Sequence, residues 1–174
     1  MFKKIISLPE TKYLGLGIMM PWEDNLEIQF GFWKEGFESG KIDELKTICG
    51  CENVVGIFGY HCDMEKRTFS YHIACENKSN TLCSEFEELR LVGLNCAHFE
   101  SDCSGVEERY TIYDTLCKEI WGQWLPNSDY ISLIESETFG CMEGYALLEK
   151  YTPENPTGGT YHLDMLLPID NKLL

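Results

Sequence analysis

The chain has 174 residues, with 14 Lys and Arg against 29 Asp and Glu, a formal charge of −15. That length suits one domain of ordinary size or two small fused modules, and 44% apolar with 13% aromatic residues supply a core rather than a disordered chain. The acidity works against direct nucleic-acid binding, which needs basic residues to displace counterions, and against adsorption to an anionic membrane. No apolar run approaches the ~20 residues of a membrane span, and the stretch Met1–Pro9 is too short for a secretory signal. The chain therefore reads as soluble and cytoplasmic.

In chain order, Thr11 to Met20 reads as a strand stopped by Pro21. Asp24-Asn25-Leu26-Glu27 resembles a capping box, with Asp24 at the N-cap and Glu27 three residues on. Leu26, Phe30, Trp33 and Phe37 then form one face of an amphipathic helix, and residues 41–49 a shorter helix before Gly50. Val54 to Tyr60 and Thr68 to Cys75 flank the polar turn Asp63–Arg67 and predict a hairpin. The charged stretch Ser84–Arg90 separates the two halves. Leu91 to Phe99 is strand-like again. Val106 to Leu125 predicts a long helix with the apolar face Tyr110, Tyr113, Cys117, Ile120, Trp121 and Trp124. Gly144 to Tyr151 and Thr160 to Leu167 are two further strand-like runs.

Both halves thus read strand, helix, strand, strand, and Tyr71-His72-Ile73 is echoed by Tyr161-His162-Leu163. The order of elements favours duplication. The prediction is one α+β domain over 1–174, built from duplicated βαββ units at about 11–83 and 91–169. Its antiparallel sheet carries helices packed on one side, with a central ligand groove between the halves.

Nine cysteines stand at 49, 51, 62, 75, 83, 96, 103, 117 and 141. Cys49-Gly50-Cys51 is the one close spacing, and no second pair accompanies it as a four-ligand zinc site requires. Reduced structural thiols are expected, with no metal and no cofactor.

One constellation carries chemistry. In Tyr145–Tyr151 the alternation puts Tyr145, Leu147, Glu149 and Tyr151 on one strand face. If that face is covered, Glu149 sits in low dielectric and requires a cation, a donor or a proton. An acid ringed by tyrosines suits an aromatic cation and equally suits general acid–base work. If the face is open, Glu149 is simply hydrated; parity does not choose between the two. His162 and Asp164 share the opposite face of their strand from Tyr161, Leu163 and Met165, where they line either a cleft or water. Trp33, Phe37, Trp121 and Trp124 are core residues at helical spacing that also have the size of pocket walls.

Several segments together resemble the gyrase-inhibitor-like (GyrI-like) small-molecule-binding family, the effector-binding domains of bacterial transcription activators. Trp33-Lys34-Glu35-Gly36-Phe37 resembles its W-x-x-F helix element, and Tyr71 stands at its third-strand tyrosine. Ile120 to Tyr130 resembles its WLP-S-GY signature, Leu148–Tyr151 its acidic strand, and Asp164–Ile169 its closing E-x-x-I-P segment. Asp129 and Asp164 depart from the family's glycine and glutamate.

The resemblance implies a duplicated fold that binds cationic, aromatic or amphipathic compounds through Glu149, in a multidrug-binding, transcription-regulator-like role. The candidate walls are Tyr71, Tyr145, Tyr151, Trp33, Phe37, Tyr113 and Trp124, with Asp164 as a further ligand contact. It also implies a stand-alone version without a DNA-binding module. Two other readings stand beside it, the first on the same pocket and the second on the acidic surface. One is a hydrolase of electrophilic, cyclopropane-containing toxins with Glu149 as base. The other is an acidic gyrase-inhibitor-type protein that acts on a protein partner. Small-molecule binding ranks first of the three.

Overall fold

A computed structural model of the chain describes residues 1–134 and 144–172. Among these, nine strands form: β1 Phe2–Leu8, β2 Thr11–Pro21, β3 Val54–Asp63, β4 Thr68–Glu76, β5 Glu87–Leu91, β6 Leu94–Cys103, β7 Tyr130–Ser132, β8 Leu147–Thr152 and β9 Tyr161–Asn171. Helices α1 (Leu26–Glu38) and α2 (Lys41–Cys49) lie between β2 and β3. Helix α3 (Arg109–Cys117) continues into π-helical turns over Lys118–Trp124 and ends in the short α4 (Leu125–Asn127). Cys141 and its neighbours from 135 to 143 lie outside the described residues. No described helix is long and apolar enough to cross a membrane.

The fold is α+β. The strands run in the order β1-β6-β9-β8-β3-β4-β2-β5, with β7 added on β9, and every pairing is antiparallel. The order is symmetric about the β3/β8 seam. On one side stand β3, β4 and β2, on the other β8, β9 and β6, and the outer edges are closed by strands from the opposite half: β5 on β2 and β1 on β6. The two faces differ. Helix residues such as Phe30, Trp33, Leu45, Tyr113 and Ile120 pack with Tyr71, Phe69, Phe99 and Met165 in the larger apolar cluster. A smaller cluster of Ile57, Ala74, Leu89, Cys96, Leu148 and Leu166 covers the other face and contains no helix residue.

Several expectations are corrected. The first nine residues contain a strand, β1, held by its pairing to β6 and by Phe2 stacked on Trp124. The charged stretch before Leu91 is not a bare separator, because Glu87–Leu91 pairs with β2. No capping box forms. Asn25 takes the N-cap of α1, and its amide turns back to donate to the Pro21 and Trp22 carbonyls, while Asp24 adopts a left-handed φ of 53°. The first strand of the second half begins at Leu94, three residues later than expected. The long helix starts at Arg109 and widens into π turns ahead of Pro126, which has no N–H to offer the preceding ladder. Cys49, Cys51, Cys75, Cys83, Cys96 and Cys103 are thiols, but Cys62 is disulfide-bonded, which corrects the expectation of a reduced thiol there.

Candidate functional site

The site is assembled at the β3/β8 seam. Strand β8 alternates buried and exposed positions after Leu148, so Glu149 and Tyr151 enter the helix-covered core while Lys150 stays outside. Glu149 is completely buried, with no exposed surface. An ionised carboxylate there requires donors for its lone pairs, and four side chains supply them. On Oε2, Tyr71 donates at 2.7 Å, Tyr151 at 2.9 Å and Gln29 Nε2 at 3.0 Å. On Oε1 the donor is the Tyr113 hydroxyl. These donors come from β4, β8, α1 and α3, so both halves of the chain converge on one carboxylate.

Outer residues fix the donors in turn. The Trp33 indole N–H donates to the Tyr71 hydroxyl at 2.8 Å, and the Trp33 ring meets Tyr151 edge-on and stacks on Phe37. Tyr161 meets Tyr151 edge-on from behind. Burial pushes the Glu149 carboxyl above its usual range, against the opposing pull of the hydrogen bonds from Tyr113, Tyr71 and Tyr151. Burial, joined by the Glu149 charge, drives all three tyrosines well above the usual phenol range, so they act as neutral donors.

Beside this cluster lies a cavity of about 490 Å³, lined by Trp22, Leu26, Phe58, Phe69, Tyr113 and Trp121. Tyr113 is the residue shared between the two: its hydroxyl holds Glu149 and its side chain forms part of the cavity wall. Glu23 and Asp114 add negative charge to the lining, and Arg67 adds one cation, paired with Glu23 at 2.8 Å and lying over the Trp22 ring.

The structure thus brings Glu149, Tyr71, Tyr113 and Tyr151 together, with Trp33 and Phe37 behind them. It separates three other candidates. Tyr145 precedes β8 and is half-buried, and it is not among the donors to Glu149. Asp164 faces the other side of the sheet, because its neighbour Met165 is the residue that pairs with Glu149. Trp124 stacks between Phe2 and Tyr130 and meets Phe99 edge-on, so it anchors β1 rather than walling the carboxylate. Sequence reasoning missed Gln29 as a donor. Its signal was a polar residue on the apolar face of α1, three residues after Leu26 and four before Trp33.

A family model described as integron-associated effector binding protein, Cass2, matches residues 4–169. The chain belongs to the Cass2 family. No curated protein sequence matches this chain. Among solved structures it is similar to SAV2435 bound to tetraphenylphosphonium, at a TM-score of 0.70 and 13% identity, covering 98% of this chain and 94% of that one. It is also similar to a putative bacterial transcription regulation protein from Staphylococcus aureus MU50, at 0.67 and 15%, covering 98% and 99%. An integron cassette protein from the mobile metagenome of Vibrio cholerae gives 0.59 and 12%, covering 97% of each chain. At such identities the likeness is one of fold, and the fold is the GyrI-like one that the sequence resembles.

Proposed function

We propose that this Cass2-family chain is a small-molecule-binding protein that takes a cationic, aromatic compound in the cavity beside Tyr113, with ionised Glu149 as the counter-charge. One observation carries the reading: a carboxylate with no solvent contact is held by four donors and walled by rings. Such a charge is costly to bury, and a cation entering the adjoining cavity offsets that cost while its rings meet π faces. The cavity volume of about 490 Å³ falls within the roughly 300–1,000 Å³ usual for small-molecule sites. The cationic aromatic ligand held by SAV2435, a protein of the same fold, supports this class of compound. The symmetric strand order supports the duplication read from the sequence echo, and a cavity lined by Trp22 and Phe58 of one half and Tyr113 and Trp121 of the other supports a groove between them. The four donors also occupy Glu149 as an acceptor, which leaves little of the carboxylate free to activate a water and favours binding over hydrolysis.

The test is calorimetric titration of tetraphenylphosphonium into the wild-type chain and into Glu149→Gln. Loss of the charge is expected to weaken binding by about tenfold to a hundredfold, or ~1.4–2.8 kcal/mol. Equal affinity in the two proteins overturns the proposal.

A further inference from the structure

The helix-free face of the sheet carries a second cluster of chemistry-bearing side chains, on the opposite side from Glu149. Strands β6 and β9 pair so that Glu100 lies across from Asp164 and Asp102 across from His162. With side chains alternating along each strand, His98, Glu100 and Asp102 of β6 share a face with His162 and Asp164 of β9. Two carboxylates placed directly opposite repel each other unless cations balance them; here Lys3 pairs with Glu100, and Lys150 stands across from Asp164 on β8. The ligating atoms of His98, Glu100 and Asp164 all lie within 4.8 Å of one another, and His98 Nε2 is 2.6 Å from Asp164 Oδ1.

His162 stands beside this group. Its Nδ1 is 2.7 Å from Asp102 Oδ1, which fixes the proton on that nitrogen. Nε2 then points at Asp164 Oδ1, 3.4 Å away, and Glu100 Oε2, 3.8 Å away. A nitrogen lone pair aimed at two carboxylate oxygens is repulsive until a proton or a metal ion fills the gap. Atoms bound at ~2.1 Å to a tetrahedral ion lie roughly 3.4 Å from one another; His162 Nε2 already stands at that distance from Asp164 Oδ1, and the 2.6 Å contact between His98 and Asp164 opens to admit the ion. A carboxylate orienting a histidine whose other nitrogen faces the centre is also the arrangement that tunes metal-bound imidazoles. The other oxygen of Glu100, Oε1, is held by Lys3, which leaves Oε2 turned to the cluster.

We propose that His98, His162, Asp164 and Glu100 bind a divalent first-row transition-metal ion of the zinc type, with Asp102 as the positioning residue for His162. Two imidazoles with two carboxylates select such ions over calcium or magnesium, which prefer all-oxygen shells. The site spans β6 and β9 and is independent of the ligand cavity.

The experiment titrates zinc into the untagged, full-length chain by calorimetry and records the cobalt(II) absorption spectrum in parallel. The expected result is a dissociation constant below about 10 µM, with visible d–d bands and no thiolate-to-cobalt charge-transfer band. His162→Gln and Asp164→Asn should each weaken zinc by at least about tenfold, and Asp102→Asn by about tenfold, while tetraphenylphosphonium affinity stays unchanged. Absence of zinc binding, a thiolate band showing that cysteines hold the metal, or undiminished affinity in His162→Gln overturns the proposal. Should a variant fail to fold, the wild-type cobalt spectrum and zinc-dependent NMR shifts of the His98 and His162 ring protons decide the matter.

Discussion

Gly56 and Glu149 are cross-strand partners at the β3/β8 seam, and the absence of a side chain at 56 is what leaves room for the carboxylate. A Cβ there would stand 2.8 Å from Glu149 Oε2 and would run into the Tyr71 hydroxyl. Gly56→Ala therefore forces apart the bond between Tyr71 and Glu149. The expected cost is about 1–3 kcal/mol, the range for overpacking a full core, read from urea denaturation. Tetraphenylphosphonium affinity should fall together with stability.

The raised Glu149 pKa acts on stability and on binding with opposite signs. The folded protein holds this proton more tightly than the unfolded chain, whose carboxyl stays near 4.5. The group's contribution to stability is therefore fully present below about that pH and is lost as pH rises through the folded value. Cation binding requires the ionised form, so affinity should climb over the same interval. Tyr113→Phe removes one donor that favours the carboxylate, so its affinity-against-pH curve is expected to shift to higher pH. Titrations of both proteins with tetraphenylphosphonium between pH ~4 and ~8 measure this. A curve that stays put or moves downward contradicts the assignment.

The two tryptophans of the π-helical turns have different duties and should respond differently. Trp121 lines the cavity, and Trp121→Ala should weaken tetraphenylphosphonium by roughly tenfold, the scale of a desolvated cation–π contact, with little change in unfolding midpoint. Trp124 packs on Phe2, Phe99 and Tyr130. Trp124→Ala should cost about 3 kcal/mol of stability and leave the affinity of the folded protein alone.

The parts of the site that lie along one periodic element were legible in the sequence. Alternation in β8 placed Glu149 with Tyr151, and helical spacing in α1 placed Trp33 with Phe37. What period alone does not carry is which faces meet. The choice between a hydrated and a buried Glu149 depends on α1 and α3 covering that face, a contact between elements more than a hundred residues apart in the case of Gln29 and Glu149. Trp124 was assigned to the Tyr113 face on a 3.6-residue period, but the turns from Lys118 onward are π-helical, and the wider turn carries its ring round to β1. The three-residue β7 is too short to show alternation. Gly56 gave no signal, since a glycine's role against a distant carboxylate is invisible in its neighbours.

The crossed edge strands give the chain a particular order of assembly. β1 is synthesised before α1, yet its hydrogen-bonding neighbour β6 is made only after the whole first half, and β5, made at the border, turns back to finish that first half. Each half ends on a strand borrowed from the other. A nascent chain released after Glu76 would carry β1 without a mate and β2 with one bare edge, so excising either half as a minimal unit should yield an aggregating fragment.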